Sequence, residues 1–206
     1  MLLSQIIRPD GTIAVVLRDG SEAAIVKGAT STYALASEAI TAGQSLAAVI
    51  AAHGLGDVVD LPRLAAEGHL TLPITHPDPA HMHLTGTGLT HLGSASTRDA
   101  MHTTLQADTL TDSMKMFRMG LDGGRPAPGK VGVQPEWFYK GNGTMLCAPE
   151  APLVSPAFAL DGGEEPEIAG LYVIGDDGAP LRIGFALSNE FSDHVTERIN
   201  YLFLAH

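Results

Sequence analysis

The chain contains 206 residues, 45% of them hydrophobic and 17% charged, which is typical of a folded protein with one or two domains. Its formal net charge of −11 would repel the phosphate groups of nucleic acids and anionic lipids, so we expect neither a nucleic-acid nor a membrane partner. No apolar run is long enough to span a bilayer and the N-terminus does not fit a signal peptide, which favours a cytoplasmic protein.

Cys147 is the only cysteine, so it cannot form a disulfide within the chain, and nothing in the sequence requires an oxidising compartment. No His and no second Cys stands beside it in the segment Thr-Met-Leu-Cys-Ala. We therefore expect a buried structural thiol rather than a nucleophile at this position.

The first part of the chain predicts a small domain of strands and helices. The Asp19-Gly20 pair between two apolar runs indicates a β-hairpin, and two Ala-rich stretches that end at Gly43 and Gly54 indicate short helices. A strand that begins at His69 is followed by closely spaced prolines, which favours a domain boundary after residue 78. The expected elements before His69 are strands at 12–17 and 23–26 and helices at 33–40 and 45–52.

The remaining residues, 79–206, predict a mainly β domain. A helix is expected from about Ser96 to Met119, because a Gly- and Pro-rich segment follows it. Strand-like segments with turn signals between them are expected at 137–140, 157–160, 168–174 and 181–187. The expected fold class is therefore α+β, with a small N-terminal α/β domain at 1–78 followed by the mainly β domain at 79–206.

A long β-hairpin is predicted within residues 163–190. Asp177-Gly178 suits the two central positions of a type I′ turn, which would pair Asp176 with Ala179 and set the register of both strands. Counting outward from this turn gives the opposed residues at the far end of the hairpin. The predicted pairs there are Glu165 with Glu190 and Glu167 with Ser188.

This register places all three glutamates on one face, because residues two apart in a strand point the same way. The rest of that face carries small residues, which leaves space above the carboxylates. The small residues are Ala169, Gly184, Ala186 and Ser188. The opposite face is suited to burial and would carry Ile168, Tyr172, Ile174, Leu181, Ile183, Phe185 and Leu187.

Glu165, Glu167 and Glu190 predict a metal site. Opposed carboxylates repel each other by about 0.2–1 kcal/mol unless a cation lies between them. A solvated acidic edge is the alternative, and it is the more common meaning of a bare Glu-x-Glu. All-oxygen ligands favour Mg²⁺, with Mn²⁺ or Ca²⁺ also suitable, whereas Zn²⁺ prefers His or Cys.

Two motifs at this hairpin, Glu165-Pro-Glu and Asn189-Glu-Phe-Ser, resemble the metal-binding motifs of the fumarylacetoacetate hydrolase superfamily. A Glu stands at position 190 where that family usually has Asp. The segments 85–95 and 134–141, Thr-Gly-Thr-Gly-Leu-Thr-His-Leu-Gly-Ser-Ala and Gln-Pro-Glu-Trp-Phe-Tyr-Lys-Gly, are similar to a sugar-acid branch of the family that acts in arabinose catabolism. The resemblance implies a mixed β-roll, a homodimer and a metal held by Glu165, Glu167 and Glu190.

The resemblance also implies a reaction. The expected activity is a metal-dependent hydrolase that breaks a carbon–carbon bond of a 2,4-diketo sugar acid, giving pyruvate and a short hydroxy acid. Dehydration of a 2-keto-3-deoxy sugar acid is the alternative enzyme, and a non-catalytic fragment or ligand-binding module is the alternative of a different class. Members of the branch are longer at the C-terminal end, so we expect the chain to contain only part of the β-roll.

Such a hydrolase needs a general base to activate water, and His suits this task near neutral pH. The superfamily places its catalytic His after a Gly-rich turn, which corresponds to His91. His102 is the other candidate, because Asp99 lies three residues earlier and could orient its imidazole on a helix face. Candidate substrate-binding residues are Lys140, Arg98 and Ser188. A structural role is the alternative for Lys140, which could cap a loop, and for Arg98, which could pair with Asp99.

Overall fold

The computed structural model describes residues 1–87, 112–133 and 137–199. The fold is mixed α+β with antiparallel sheets, as predicted. The described residues form two compact units, one with residues 1–82 and 142–199 and the other with residues 83–87, 112–133 and 137–141. The division at residue 78 and the β-roll architecture stay predictions.

The β-strands of the described residues are numbered in chain order. They are β1 Leu2–Ile7, β2 Ile13–Asp19, β3 Glu22–Val26, β4 Leu55–Val58, β5 Leu70–Thr71, β6 His83–Thr87, β7 Trp137–Asn142, β8 Gly163–Ile174 and β9 Pro180–Ser192. The α-helices are α1 Thr32–Ala42, α2 Leu46–His53, α3 Leu61–Ala66, α4 Asp112–Gly123 and α5 His194–Ile199. Short 3₁₀ turns lie at Pro79–His81 and Gly143–Met145.

The N-terminal residues form an antiparallel five-stranded sheet in the order β4-β3-β2-β1-β5. The predicted hairpin is confirmed, since β2 pairs with β3 and Asp19 lies opposite Glu22. Strands β1 and β4 were not predicted from the sequence. In β1 the apolar run is interrupted by Ser4 and Gln5, which hides the periodicity that would mark a strand.

Both faces of this sheet are buried, because helices cover each side. Ala14, Val15 and Val16 of β2 are all fully buried, which explains why β2 is a continuous apolar run rather than an alternating one. One face packs against α1 and α2 in the cluster Val15, Val26, Ala29, Leu35, Ala39, Val49 and Ile50. The other face packs against α3 in the cluster Ile6, Ala14, Val16, Ala23 and Leu61.

The two predicted Ala-rich helices are confirmed, and their ends follow from capping. The Ser31 hydroxyl accepts the Ala34 N–H at 2.9 Å at the start of α1. The Ser45 hydroxyl accepts the Ala48 N–H at 3.2 Å at the start of α2. Helix α1 ends at Gly43, whose φ of 62° is left-handed and favours glycine.

Three local predictions are wrong or displaced. Residues 157–160 form a turn and not a strand, because the Leu160 N–H donates to Asp193 and the Ala159 N–H to Pro156. The described part of the helix predicted at 96–119 is α4, which continues beyond Met119 to Gly123. Cys147 is exposed rather than buried, because it lies in an irregular segment after a 3₁₀ turn.

Among the described residues, no single helix is both long and apolar enough to cross a membrane. The helix pair α1 and α2 would suffice by length and composition, and it is bent by 110° between the two helices.

Gln5 is a fully buried polar side chain that joins three parts of the N-terminal unit. Its amide donates to the Leu72 carbonyl at 2.7 Å and to the Thr75 hydroxyl at 3.2 Å. Its carbonyl accepts the Thr32 N–H at 2.7 Å, which satisfies one of the free donors in the first turn of α1. Gln5 therefore fixes the start of α1 and the segment after β5 against β1.

Replacing Gln5 by Leu keeps the side-chain volume and removes all of these hydrogen bonds. We expect the free energy of unfolding to fall by about 2–4 kcal/mol, because the buried Thr32 N–H and the partly buried Leu72 carbonyl both lose their partner. Urea unfolding followed by circular dichroism measures this loss. The control is Gln44→Leu at an exposed position, expected within about 0.5 kcal/mol of wild type. Equal stability of the two variants would contradict the prediction.

Candidate metal centre

The β8–β9 hairpin has the register that the sequence predicts at its far end. Glu165 lies opposite Glu190 and Glu167 lies opposite Ser188. Since residues two apart in a strand share a face, all three glutamates and Ser188 lie on one face of the hairpin. Further along the same face, Ala169 pairs with Ala186, so small residues flank the carboxylates.

The turn that produces this register differs from the predicted type I′ turn. Gly175 pairs with Ala179 through a 2.9 Å N–H to carbonyl bond, which leaves three residues in the loop instead of two. Gly178 is the last of them and has a φ of 80°, the conformation that a three-residue loop requires of its final position. The Asp177 carboxylate accepts the Ala179 N–H at 2.9 Å, which further stabilises this turn.

A β-bulge in β9 compensates for the longer turn. Leu171 pairs with Gly184 and Tyr172 pairs with Arg182, so Ile183 has no partner across the strands. The additional loop residue and the bulge shift the register by one residue each, in opposite directions. Glu190 consequently faces the same side as Glu165 and Glu167. Between the turn and the bulge the prediction is wrong, since Leu181 pairs with Val173 on the glutamate face.

The predicted burial of the two hairpin faces is reversed. Val173, on the glutamate face, is only 6% exposed, and Glu165, Ser188 and Glu190 are half-buried. Five apolar side chains of the opposite face are between 52% and 90% exposed. They are Ile168, Tyr172, Ile174, Phe185 and Leu187. The apolar pattern identifies a face suited to burial, but it does not supply an element that covers that face.

The three glutamates converge at the end of the hairpin. One carboxylate oxygen from each of Glu165, Glu167 and Glu190 lies within 4.8 Å of the others. Three negative charges at this separation, two of them half-buried, favour a cation among them. These three residues can therefore bind a metal ion, as the sequence predicts.

The oxygen separations can be compared with the size of an ion. Two ligands of one ion lie no further apart than twice the metal–oxygen distance, about 4.2 Å for Mg²⁺ and about 4.6–5.2 Å for Ca²⁺. Three ligands cannot all be diametrically opposed, and neighbouring oxygens around Mg²⁺ lie only about 3 Å apart. The three glutamate oxygens, which lie within 4.8 Å of one another, therefore have to move closer together to bind one ion. Glutamate side chains at a partly exposed site make such a movement easily.

His194 contacts the centre and was not predicted from the sequence. Its Nε2 lies 2.9 Å from Oε1 of Glu165, and its Nδ1 lies 3.9 Å from Oδ2 of Asp161. The hairpin register could have indicated this contact, because Gly163 pairs with Ser192 and α5 starts two residues after Ser192. A His at that position lies directly beside the strand that carries Glu165.

The start of α5 is held by Asp193. Its carboxylate accepts the backbone N–H of Thr196 at 2.9 Å and the hydroxyl of Thr196 at 2.6 Å. It also accepts the Leu160 N–H at 2.8 Å, which links α5 to the segment before β8. The hydrogen bonds from Thr196 lower the pKa of Asp193 below its ordinary value, so the cap stays ionised at neutral pH.

The other predicted site residues are distributed as follows. Ser188 lies on the glutamate face opposite Glu167, as predicted. Lys140 lies in β7, which belongs to the other compact unit except for its last residue. The candidate bases and the second candidate cation lie outside the described residues. These are His91, His102, Asp99 and Arg98.

Comparisons with known proteins return no relative of this chain. No protein-family model, no curated protein and no solved structure matches it.

Proposed function

We propose that this chain is a Mg²⁺-dependent hydrolase that acts in the cytoplasm on a 2,4-diketo sugar acid, in the manner of the fumarylacetoacetate hydrolase superfamily. The observation that supports it best is the convergence of the Glu165, Glu167 and Glu190 carboxylates on the half-buried face of the hairpin. Two residues of this set come from a Glu-x-Glu and the third from the end of the next strand, which is the arrangement that the resemblance implies.

The donor set fits the proposed ion and reaction. Three carboxylate ligands leave about three of the six positions around Mg²⁺ for water and for a 2-keto carboxylate. When bound, the ion would clamp this carboxylate and stabilise the enolate that departs. Ser188 lies opposite Glu167 on the same face, and we assign to its hydroxyl the donation of a hydrogen bond to a bound keto acid.

In the proposed reaction, the base takes a proton from water, and the water oxygen bonds to the distal carbonyl carbon of the substrate. The bond between that carbon and the methylene carbon that joins the two carbonyls then breaks, and its electron pair leaves as the enolate of pyruvate. Protonation of the enolate completes pyruvate, and the other fragment leaves as a carboxylic acid. We assign the base to His91 or to His102 with Asp99, and the binding of substrate carboxylate to Lys140 and Arg98.

The test uses the 206-residue chain and acetylpyruvate, the simplest 2,4-diketo acid. With Mg²⁺ present, we expect pyruvate and acetate in equal amounts by nuclear magnetic resonance, and no products with a chelator. A parallel reaction with 2-keto-3-deoxy-arabonate identifies the dehydratase alternative, since loss of water gives a semialdehyde and no pyruvate. Metal binding without turnover of either compound would instead indicate a non-catalytic binding module. The homodimer that the resemblance implies is measured by sedimentation velocity on the same sample.

A further inference from the structure

We propose that His194 is a positioning residue, whose imidazole holds the Glu165 carboxylate in its metal-binding orientation and so raises the affinity of the centre. This inference rests on the proposed metal site. It is drawn from the 2.9 Å contact between Nε2 of His194 and Oε1 of Glu165.

The contact acts on a carboxylate whose orientation the backbone alone does not determine. A glutamate side chain has several rotatable bonds, and ordering it around an ion costs conformational entropy. The His194 N–H occupies one acceptor site of a carboxylate that offers about four, so the remaining sites stay available to a metal. Hydrogen bonds to ligating carboxylates orient them in the same way in other metal centres.

The backbone of Glu165 is fixed as well. The Glu165 N–H donates to the side-chain carbonyl of Asn189 at 3.0 Å, across the two strands. Asn189 directly precedes Glu190, so the same residue links the two opposed ligands. Glu165 is thus held at its backbone by Asn189 and at its carboxylate by His194.

The imidazole of His194 is itself held in place. Asp193 caps the first turn of α5 and bonds to Leu160, which fixes the backbone from which the ring extends. The ring lies against Gly163 of β8, where a Cβ atom would overlap it. A glycine at this position and a capped helix start together place the imidazole beside Glu165.

The experiment compares the Mg²⁺ dissociation constant of four chains by isothermal titration calorimetry. His194→Ala removes the donor, and we expect affinity about 10–100-fold weaker. His194→Gln supplies an amide donor of similar reach, and we expect affinity within about threefold of wild type. His53→Ala is the matched control, because His53 makes a His–Glu contact of the same 2.9 Å length to Glu38, a residue outside the glutamate cluster. We expect its Mg²⁺ affinity to equal that of wild type.

Thermal melting without metal separates a folding defect from a loss of affinity. Rescue by His194→Gln, together with unchanged binding by His53→Ala, supports the inference. Wild-type affinity in His194→Ala, or an equal loss in the Ala and Gln variants, overturns it while the metal site itself stands. A wild-type chain that binds no Mg²⁺ refutes the proposed function instead, and the inference with it.

Discussion

Metal affinity is expected to fall by roughly 100-fold or more when Glu165 and Glu190 are both replaced by Gln, because ligand charge sets the affinity of an all-oxygen site. The substitution keeps the size of each side chain and removes two of the three negative charges. Titration calorimetry with Mg²⁺ measures the loss directly.

The same double variant has an opposite effect on the metal-free protein. Glu165 and Glu190 are directly opposed across the hairpin, so their repulsion destabilises the fold by about 0.2–1 kcal/mol. We expect the variant without metal to be as stable as wild type or slightly more stable. Added Mg²⁺ should raise the melting temperature of wild type only, since an ion that binds the folded state alone stabilises it by RT ln(1 + c/Kd), where c is the free Mg²⁺ concentration, and this gain is small when Kd is large.

Glu164→Gln is the control for this prediction. Glu164 is adjacent in sequence and carries the same charge, but it is exposed and lies on the opposite face of β8. We expect its Mg²⁺ affinity to be within about twofold of wild type, because it is not a ligand and its charge is screened by solvent. An equal loss in both variants would show that the glutamates form only a solvated acidic edge.

The second large effect is expected from the hairpin register. One alanine inserted after Leu187 would advance Glu190 by one position, so that it pairs with Glu164 and points to the other face. The centre would lose one of three ligands without any ligand being mutated. We expect roughly 100-fold weaker Mg²⁺ binding by calorimetry.

Deletion of Ile183 is the matched control for the insertion. Ile183 is the unpaired residue of the bulge, so its removal leaves Glu190 opposite Glu165. We expect the deletion to keep Mg²⁺ affinity within about threefold of wild type, because the pairing of β8 with β9 becomes continuous without Ile183. A strong loss in the deletion variant, or none in the insertion variant, would contradict the role given to the register.

The hairpin shows how far sequence reasoning reaches. The turn residues and the alternation of side chains predict the pairing of Glu165 with Glu190, and the structure has this pairing. The prediction counted a two-residue loop and no bulge, whereas the structure has a three-residue loop and a bulge. The two errors shift the register in opposite directions, so the predicted pairing is correct at the glutamates. Between the turn and the bulge it is wrong, and Leu181 was therefore predicted on the wrong face. Local turn signals do not distinguish these cases, because Gly178 suits both loops.

Burial and tertiary contacts were less predictable. An apolar face predicts burial only where another element covers it, and Leu187 is 90% exposed. The contact of His194 with Glu165 joins residues 29 positions apart, so neither the helix signal nor the motif reveals it, and only the hairpin register points to it. In the N-terminal unit the helices were predictable because Ser31, Gly43 and similar caps act within one turn. Strand β1 was not, because Gln5 is buried through bonds to distant residues.

The close approach of His194 to Gly163 has a consequence for evolution. A side chain at position 163 would displace the His194 ring. If the histidine were replaced by a smaller residue, position 163 would no longer have to be glycine. The two positions are therefore expected to covary among any homologues of this hairpin, with glycine retained wherever the histidine is retained. The glycine and histidine pair would then identify the metal centre in distant homologues, even where aspartates replace the glutamates.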